Sequence, residues 1–297
     1  MIDFQHILKA SDPLTLSGVA NGFLPLLLSD LARAASGRAV YIAPDDLAMR
    51  GVADAATYFA PELAVIQFPA WDCLPYDRAS PSLRSSSDRL AALHTLQQKP
   101  DGPQLLVTTV NAVTQRTLTP FRVRQLVARL APGERIDRDR LAALLQSNGY
   151  VRTDTVADAG EFAIRGALVD LFPAGENLAL RLDFFGDEIE SIRRFDPADQ
   201  RTVDRVESFT LLPASEVLLD EESIKRFRSR YREKFGATAT GDPLYQAVSE
   251  GRRLAGMEHW LPMVEERLAT LFDHLSPDDL VVRDHGAILA ADQRVDA

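Results

Sequence analysis

Residues 160–192 read GEFAIRGALVDLFPAGENLALRLDFFGDEIESI. From Leu178 the chain alternates, with Leu178, Leu180, Leu182 and Phe184 on one side and Ala179, Arg181, Asp183 and Phe185 on the other. Period-two alternation marks a strand with one face buried and one in water. The leucine side is an ordinary core face. The other side puts a bulky Phe185 in water, two residues from an acid and four from an arginine, and upstream Arg165 stands alone in the apolar run Phe162 to Phe172. A Gly186-Asp187 turn ends the strand, and the next runs from about Ile189 to Phe195; Phe184 and Phe185 together also fit a bulge. A small sheet therefore displays two isolated arginines and an aromatic.

Outward from this stretch the pattern changes. From about Leu14 to Thr117, short apolar runs at Leu14–Leu16, Ala39–Ala43, Leu63–Phe68 and Gln104–Val110 alternate with helical patterns at Phe23–Ala35, Asp45–Phe59 and Leu83–Gln98. That order predicts an α/β layer with a parallel sheet. After a helix at Arg138–Gln146, stopped by Asn148-Gly149, the strands of the opening stretch begin. A small α+β unit, residues 122–212, is thus expected to be inserted into an α/β domain formed by 1–121 and completed by 213–297. In the return segment, Ile224, Phe227, Tyr231 and Phe235 recur at helical spacing, and the apolar run near Leu280 reads as a strand rejoining the first sheet.

With 297 residues, 46% hydrophobic and 26% charged, the chain suits two globular domains. Its net charge of −10 opposes contact with nucleic acid or anionic membrane unless a local basic patch exists. One cysteine, Cys73, excludes a disulfide framework and suggests a reducing cytoplasm. The N-terminal MIDFQHILKA has no signal-peptide pattern, and no apolar run approaches the roughly 20 residues of a membrane span. A cytoplasmic protein with no membrane partner is expected.

Three patterns invite chemistry. The Walker A frame G-x-x-x-x-G-K-[ST] can be laid on Ser17 to Leu24, where Gly22 fits. Ser17 replaces the first glycine, Phe23 the lysine that holds the β- and γ-phosphates, and Leu24 the hydroxyl that holds Mg²⁺. A non-functional phosphate loop and no nucleotide cofactor are expected. Asp170, Asp183, Asp187 and Glu188 suggest a metal-dependent nuclease, but no lysine lies between Lys99 and Lys225. Solvated strand edges and turns account for these acids instead. The five histidines are scattered, so no metal and no catalytic residue is expected. In Lys225–Lys234, KRFRSRYREK, the aromatics fall on one helical stripe while acids precede the cations, which reads as a solvated helix face; a phosphate-contacting role is the alternative.

FPAWDCLPYDRASPS (68–82), EFAIRGALVDLFP with LRLDFFGDEIESIRRFD (161–196) and AGMEHWLPM (255–263) together resemble the N-terminal module of the bacterial transcription-repair coupling factor, Mfd, itself similar to part of UvrB. The resemblance implies a degenerate helicase-like α/β domain split by an insertion that docks on UvrA. It places Arg165, Arg181 and Phe185 at the positions of the docking motif. It also implies that contacts with RNA polymerase and double-stranded DNA belong to domains beyond residue 297. The segment after Tyr76, DRASPSLRSSSD, is too short and too poor in aromatics for UvrB's DNA-prying hairpin. Arginine and aromatic side chains anchor interfaces because they join buried area to fixed hydrogen-bond geometry. The competing reading pairs Arg165 and Arg181 with Asp170 or Asp183 as surface ion pairs and tucks Phe185 under a loop. The rival functions are an ATP-dependent helicase half and a nucleic-acid binder using the 225–234 helix.

Overall fold

The computed structural model describes residues 4–9, 12–35, 37–74 and 78–295. By compactness the chain divides into two units: Met1–Ala70 with Thr95–Arg116 and Thr270–Ala297, and Trp71–His94 with Thr117–Ala269.

The first unit is built on three short apolar strands, β1 (Ala39–Ala43), β2 (Ala64–Phe68) and β3 (Gln104–Thr109). A fourth strand from the far end of the chain, Leu280–Arg283, pairs in parallel with β1, with Ala39 opposite Leu280. Outermost to outermost, the order is Leu280–Arg283, β1, β3, β2, all parallel. Every residue of β1 is buried, as expected of a central strand covered on both faces. On one face the helices Leu24–Ala34 and Asp46–Phe59 bring Leu28, Ala32, Met49 and Ala53 against Tyr41 and Val107. On the other, Ile42 packs with Val110 and Ala287. Asp45 caps its helix by accepting from the Ala48 amide at 2.8 Å. The returning strand is locked by Asp279, whose carboxylate accepts the Arg38 amide at 2.8 Å, while Leu280 donates to the Arg38 carbonyl at 2.7 Å. A Cβ on Gly37 would stand 2.6 Å from that carboxylate, so a side chain there would push the strand away.

Leu14–Leu16 does not form the expected first strand. Residues 13–17 carry no regular element, and Leu14 and Leu16 remain 48% and 44% exposed. Two leucines either side of Thr15, flanked by Pro13, Ser17 and Gly18, offer little apolar surface to bury.

In the second unit, β4 (Ala128–Leu130) pairs antiparallel with β11 (Phe209–Leu211). Between them run β5 (Val151–Arg152), β6 (Glu161–Arg165), β7 (Leu168–Leu171), β8 (Ala179–Phe185), β9 (Glu188–Phe195) and β10 (Thr202–Arg205). These six make one sheet in the order β10-β9-β8-β7-β6-β5, antiparallel except for the β5–β6 pair. One face carries Phe162, Val169, Leu171, Leu180, Leu182 and Ile192 into a core that includes Leu141 and Leu145 of the helix Arg138–Ser147. The alternation seen at Leu180, Leu182 and Phe184 is therefore the core face. A bulge is present, but on the partner strand and not at Phe184 and Phe185: the partner of β8 jumps from Ser191 at Asp183 to Ile189 at Phe184, leaving Glu190 of β9 as the extra residue. Beyond β10 the chain stays with this unit to Ala269, whereas the return to the parallel sheet was expected from residue 213. The segment is joined to the inserted part where the Leu212 carbonyl accepts the Tyr150 hydroxyl at 2.7 Å and the Ala214 amide donates to the Asn148 carbonyl at 2.9 Å. Glu216, 1% exposed, takes the fully buried Arg89 guanidinium at 2.5 Å and the Trp71 indole N–H at 2.8 Å. Within the segment, Tyr231 of the helix Glu221–Phe235 packs at a tilt against Tyr245 and Trp260, with ring centroids 5.7 and 5.3 Å apart.

Candidate functional site

The face of the six-stranded sheet opposite its main core answers the question of the two arginines. Strand register sets Ala163, Asp170, Arg181 and Arg193 in one row across β6 to β9, and Arg165, Leu168, Asp183 and Ser191 in the next. Residues two apart share a face, so both rows lie on the same side. Asp170 is the hub. Only 1% of its side chain is exposed, and its carboxylate accepts Arg181 Nε at 2.7 Å, Arg181 Nη2 at 2.9 Å and Arg165 Nη2. Arg181, 16% exposed, also lies 4.6 Å from the centroid of the Phe195 ring. Its bond to Asp170, more than the opposing effect of burial, raises the guanidinium pKa above its ordinary value. In the next row Asp183 accepts Arg193 Nη2 and the Ser191 hydroxyl, the latter at 2.8 Å.

The exposed members are Arg165 and Phe185. The Arg165 side chain is 45% exposed and sits where β6 enters the turn at Gly166, a residue with φ of 61° that suits glycine. Arg138, on the neighbouring helix, donates to the Gly166 carbonyl and so holds that turn. Phe185 is 81% exposed and lines an open cleft with Arg135, Ile136, Asp137, Asp187 and Glu188.

The competing, ion-pair reading of this face is partly realised. Arg165 and Arg181 do pair with Asp170, yet the pair is not a surface one, because the carboxylate is buried. Phe185 is not tucked under a loop. Asp170 and Asp183 are not the solvated acids that were expected; each neutralises arginines on a partly buried face. The sequence left Asp170 and Asp183 as equal candidates for these arginines, and only register sets Asp170, buried, beside arginines five and eleven residues away.

Elsewhere, the frame from Ser17 to Leu24 leads into the helix Leu24–Ala34. Ser17 lies outside any regular element, Gly22 is in a turn, and Phe23 is 44% exposed at the start of a helix beginning at Leu24. Pro25 follows in the first turn and removes one of the amides an anion would use. Tyr76 and Asp77 lie outside the described residues. On the Glu221–Phe235 helix Phe227 and Tyr231 are core. Two of its cations are committed to backbone: Arg226 donates to the Val264 carbonyl at 2.7 Å, and Arg230 to those of Pro262 and Glu265 at 2.8 and 2.6 Å. Among the described residues no cluster of His, Cys, Asp or Glu is placed to hold a metal, and no helix is long and apolar enough to cross a membrane.

The arginine–aspartate sheet lies within a known module. Residues 128–217 match the family model of the UvrB interaction domain, which defines the class of this part of the chain. Over 276 residues, 92% of the chain, it is 37% identical to the transcription-repair-coupling factor of Haemophilus influenzae. The corresponding protein of Escherichia coli is 37% identical over 275 residues, and that of Mycobacterium bovis 32% over 300. The chain belongs to the transcription-repair-coupling factor family, and spans about a quarter of the length of these relatives, 24%, 24% and 23% respectively.

Proposed function

We propose that this chain is a UvrA-recruiting module of transcription-coupled nucleotide excision repair, docking through residues 122–212 by Arg165, Arg181 and Phe185. The observation that carries this is the arrangement of the face: two arginines share one buried carboxylate and an 81% exposed phenylalanine stands at the tip of the same hairpin sheet. Such a face is largely ordered before binding, and its anchors are of the residue types that dominate interface energetics. A partner patch with carboxylates around an apolar pocket would complement it: the guanidinium edges would take the acids, and Phe185 would enter the pocket. The parallel-sheet unit is read as a helicase-like layer whose phosphate loop has lost its cation, so the chain neither binds nor hydrolyses ATP. Contacts with RNA polymerase and double-stranded DNA are assigned to parts of the relatives that this chain does not span. The setting is the cytoplasm.

The test is binding to purified UvrA. Phe185→Ala and Arg165→Ala should each weaken it by about thirtyfold, the loss expected from a central anchor worth about 2 kcal/mol, with melting unchanged. Arg228→Ala, on the exposed side of the basic helix, should do neither. Parent-like binding by both Arg165→Ala and Phe185→Ala would place the docking face elsewhere.

A further inference from the structure

We infer that Asp170 is a positioning residue of the docking face: its buried carboxylate tethers the Arg165 guanidinium and so presents the remaining donors of that side chain to the partner. The inference rests on the UvrA-docking reading above.

Arg165 is the more exposed of the two arginines, 45% against 16%. A long side chain at the mouth of a turn samples many rotamers, and ordering it on binding lowers affinity by about two- to tenfold. Here Nη2 already donates to Asp170 Oδ2, which leaves Nε and Nη1 for a partner carboxylate. The tether is itself immobile. Asp170 is held from its other side by Arg181 at 2.7 and 2.9 Å, and Arg138 pins the carbonyl of Gly166 next to Arg165. Arg181 has supports besides Asp170, because Phe195 lies 4.6 Å beneath it and Gln200 accepts from it at 3.4 Å. Asp170 therefore acts on the interface through Arg165. Its negative charge has an opposite effect at long range, since it offsets the attraction of the arginines for acids on the partner. That effect belongs to the rate of encounter. The tether belongs to the lifetime of the complex.

Dissociation of the full chain from immobilised UvrA separates the two. Asp170→Asn keeps the shape of the side chain and removes its charge. It should speed dissociation about fivefold in the parent, and by less than about twofold in an Arg165→Ala background, because the side chain it positions is then gone. Equal factors in both backgrounds, or no change in the parent, would overturn the inference and leave Asp170 a purely structural residue. Arg165→Lys guards against a softened fold: it keeps the charge at an exposed site, but one ammonium cannot bridge Asp170 and a partner carboxylate with the planar geometry of a guanidinium. Its dissociation should match that of Arg165→Ala within about twofold; parent-like behaviour would likewise overturn the tether. If Arg165→Ala itself binds as the parent does, the docking reading falls and takes the inference with it. Impaired Arg165→Ala with background-independent Asp170→Asn sinks the inference alone.

Discussion

Arg181→Ala should destabilise the second unit, although the sequence reads Arg181 as a displayed side chain. Its guanidinium makes two charge-assisted bonds to one carboxylate, at 2.7 and 2.9 Å, and lies 4.6 Å from the Phe195 centroid. Removing one partner of a fully buried ion pair costs about 3–5 kcal/mol, because the other charge is left without compensation. Two features lower that here. Arg165 still donates to Asp170, and Arg181 is 16% exposed, so water can reach part of the gap. A loss of about 2–3 kcal/mol follows, which in a domain of this size lowers the melting temperature by about 5–10 °C. Phe185→Ala, at 81% exposure, should stay within about 0.5 kcal/mol of the parent. Differential scanning calorimetry of the two variants measures the contrast directly. The double variant Asp170→Asn with Arg181→Ala should lose less than the sum of the two singles, since each alone strands the other's charge. An Arg181→Ala protein melting within about 1 °C of the parent would show that the carboxylate is already satisfied without it, and would refute the hub.

Three further outcomes are expected. Titration calorimetry with Mg·ATP should show no binding heat, because Phe23 and Leu24 supply neither the cation nor the hydroxyl of a phosphate loop; saturable micromolar binding at this loop would overturn the reading. Glu216→Ala removes the carboxylate facing the fully buried Arg89 and should cost about 3–5 kcal/mol, read as a lower urea midpoint with an unchanged slope. Burial pushes the half-buried His94 imidazole below its ordinary pKa of 6.5. The unfolded chain then binds the extra proton first, so His94 makes stability fall as pH drops below about 6.5, and His94→Gln should flatten that part of the stability–pH curve.

What could be read from residues in order was whatever depends on local periodicity. The alternation at Leu180, Leu182 and Phe184 identifies a strand and its buried side, since successive side chains must point to opposite faces. The short apolar runs at Ala39–Ala43 and Leu280–Arg283 announce strands by their β-branched composition. Leu14–Leu16 forms no strand because two leucines around Thr15 bury too little to outweigh the cost of ordering the chain. Arg165, Arg181 and Phe185 stood out as anomalies of composition, but their environments were not legible: one is half-exposed, one nearly buried and one almost wholly in water. The two arginines meet at Asp170, whose place opposite Arg181 is fixed by the register of β7 against β8. Likewise Glu216 meets Arg89 across 127 residues of sequence and keeps its segment with the second unit. Backbone geometry sets the period of a strand by itself, whereas the partner of a buried charge is chosen by non-local pairing, and only the folded chain brings those atoms together.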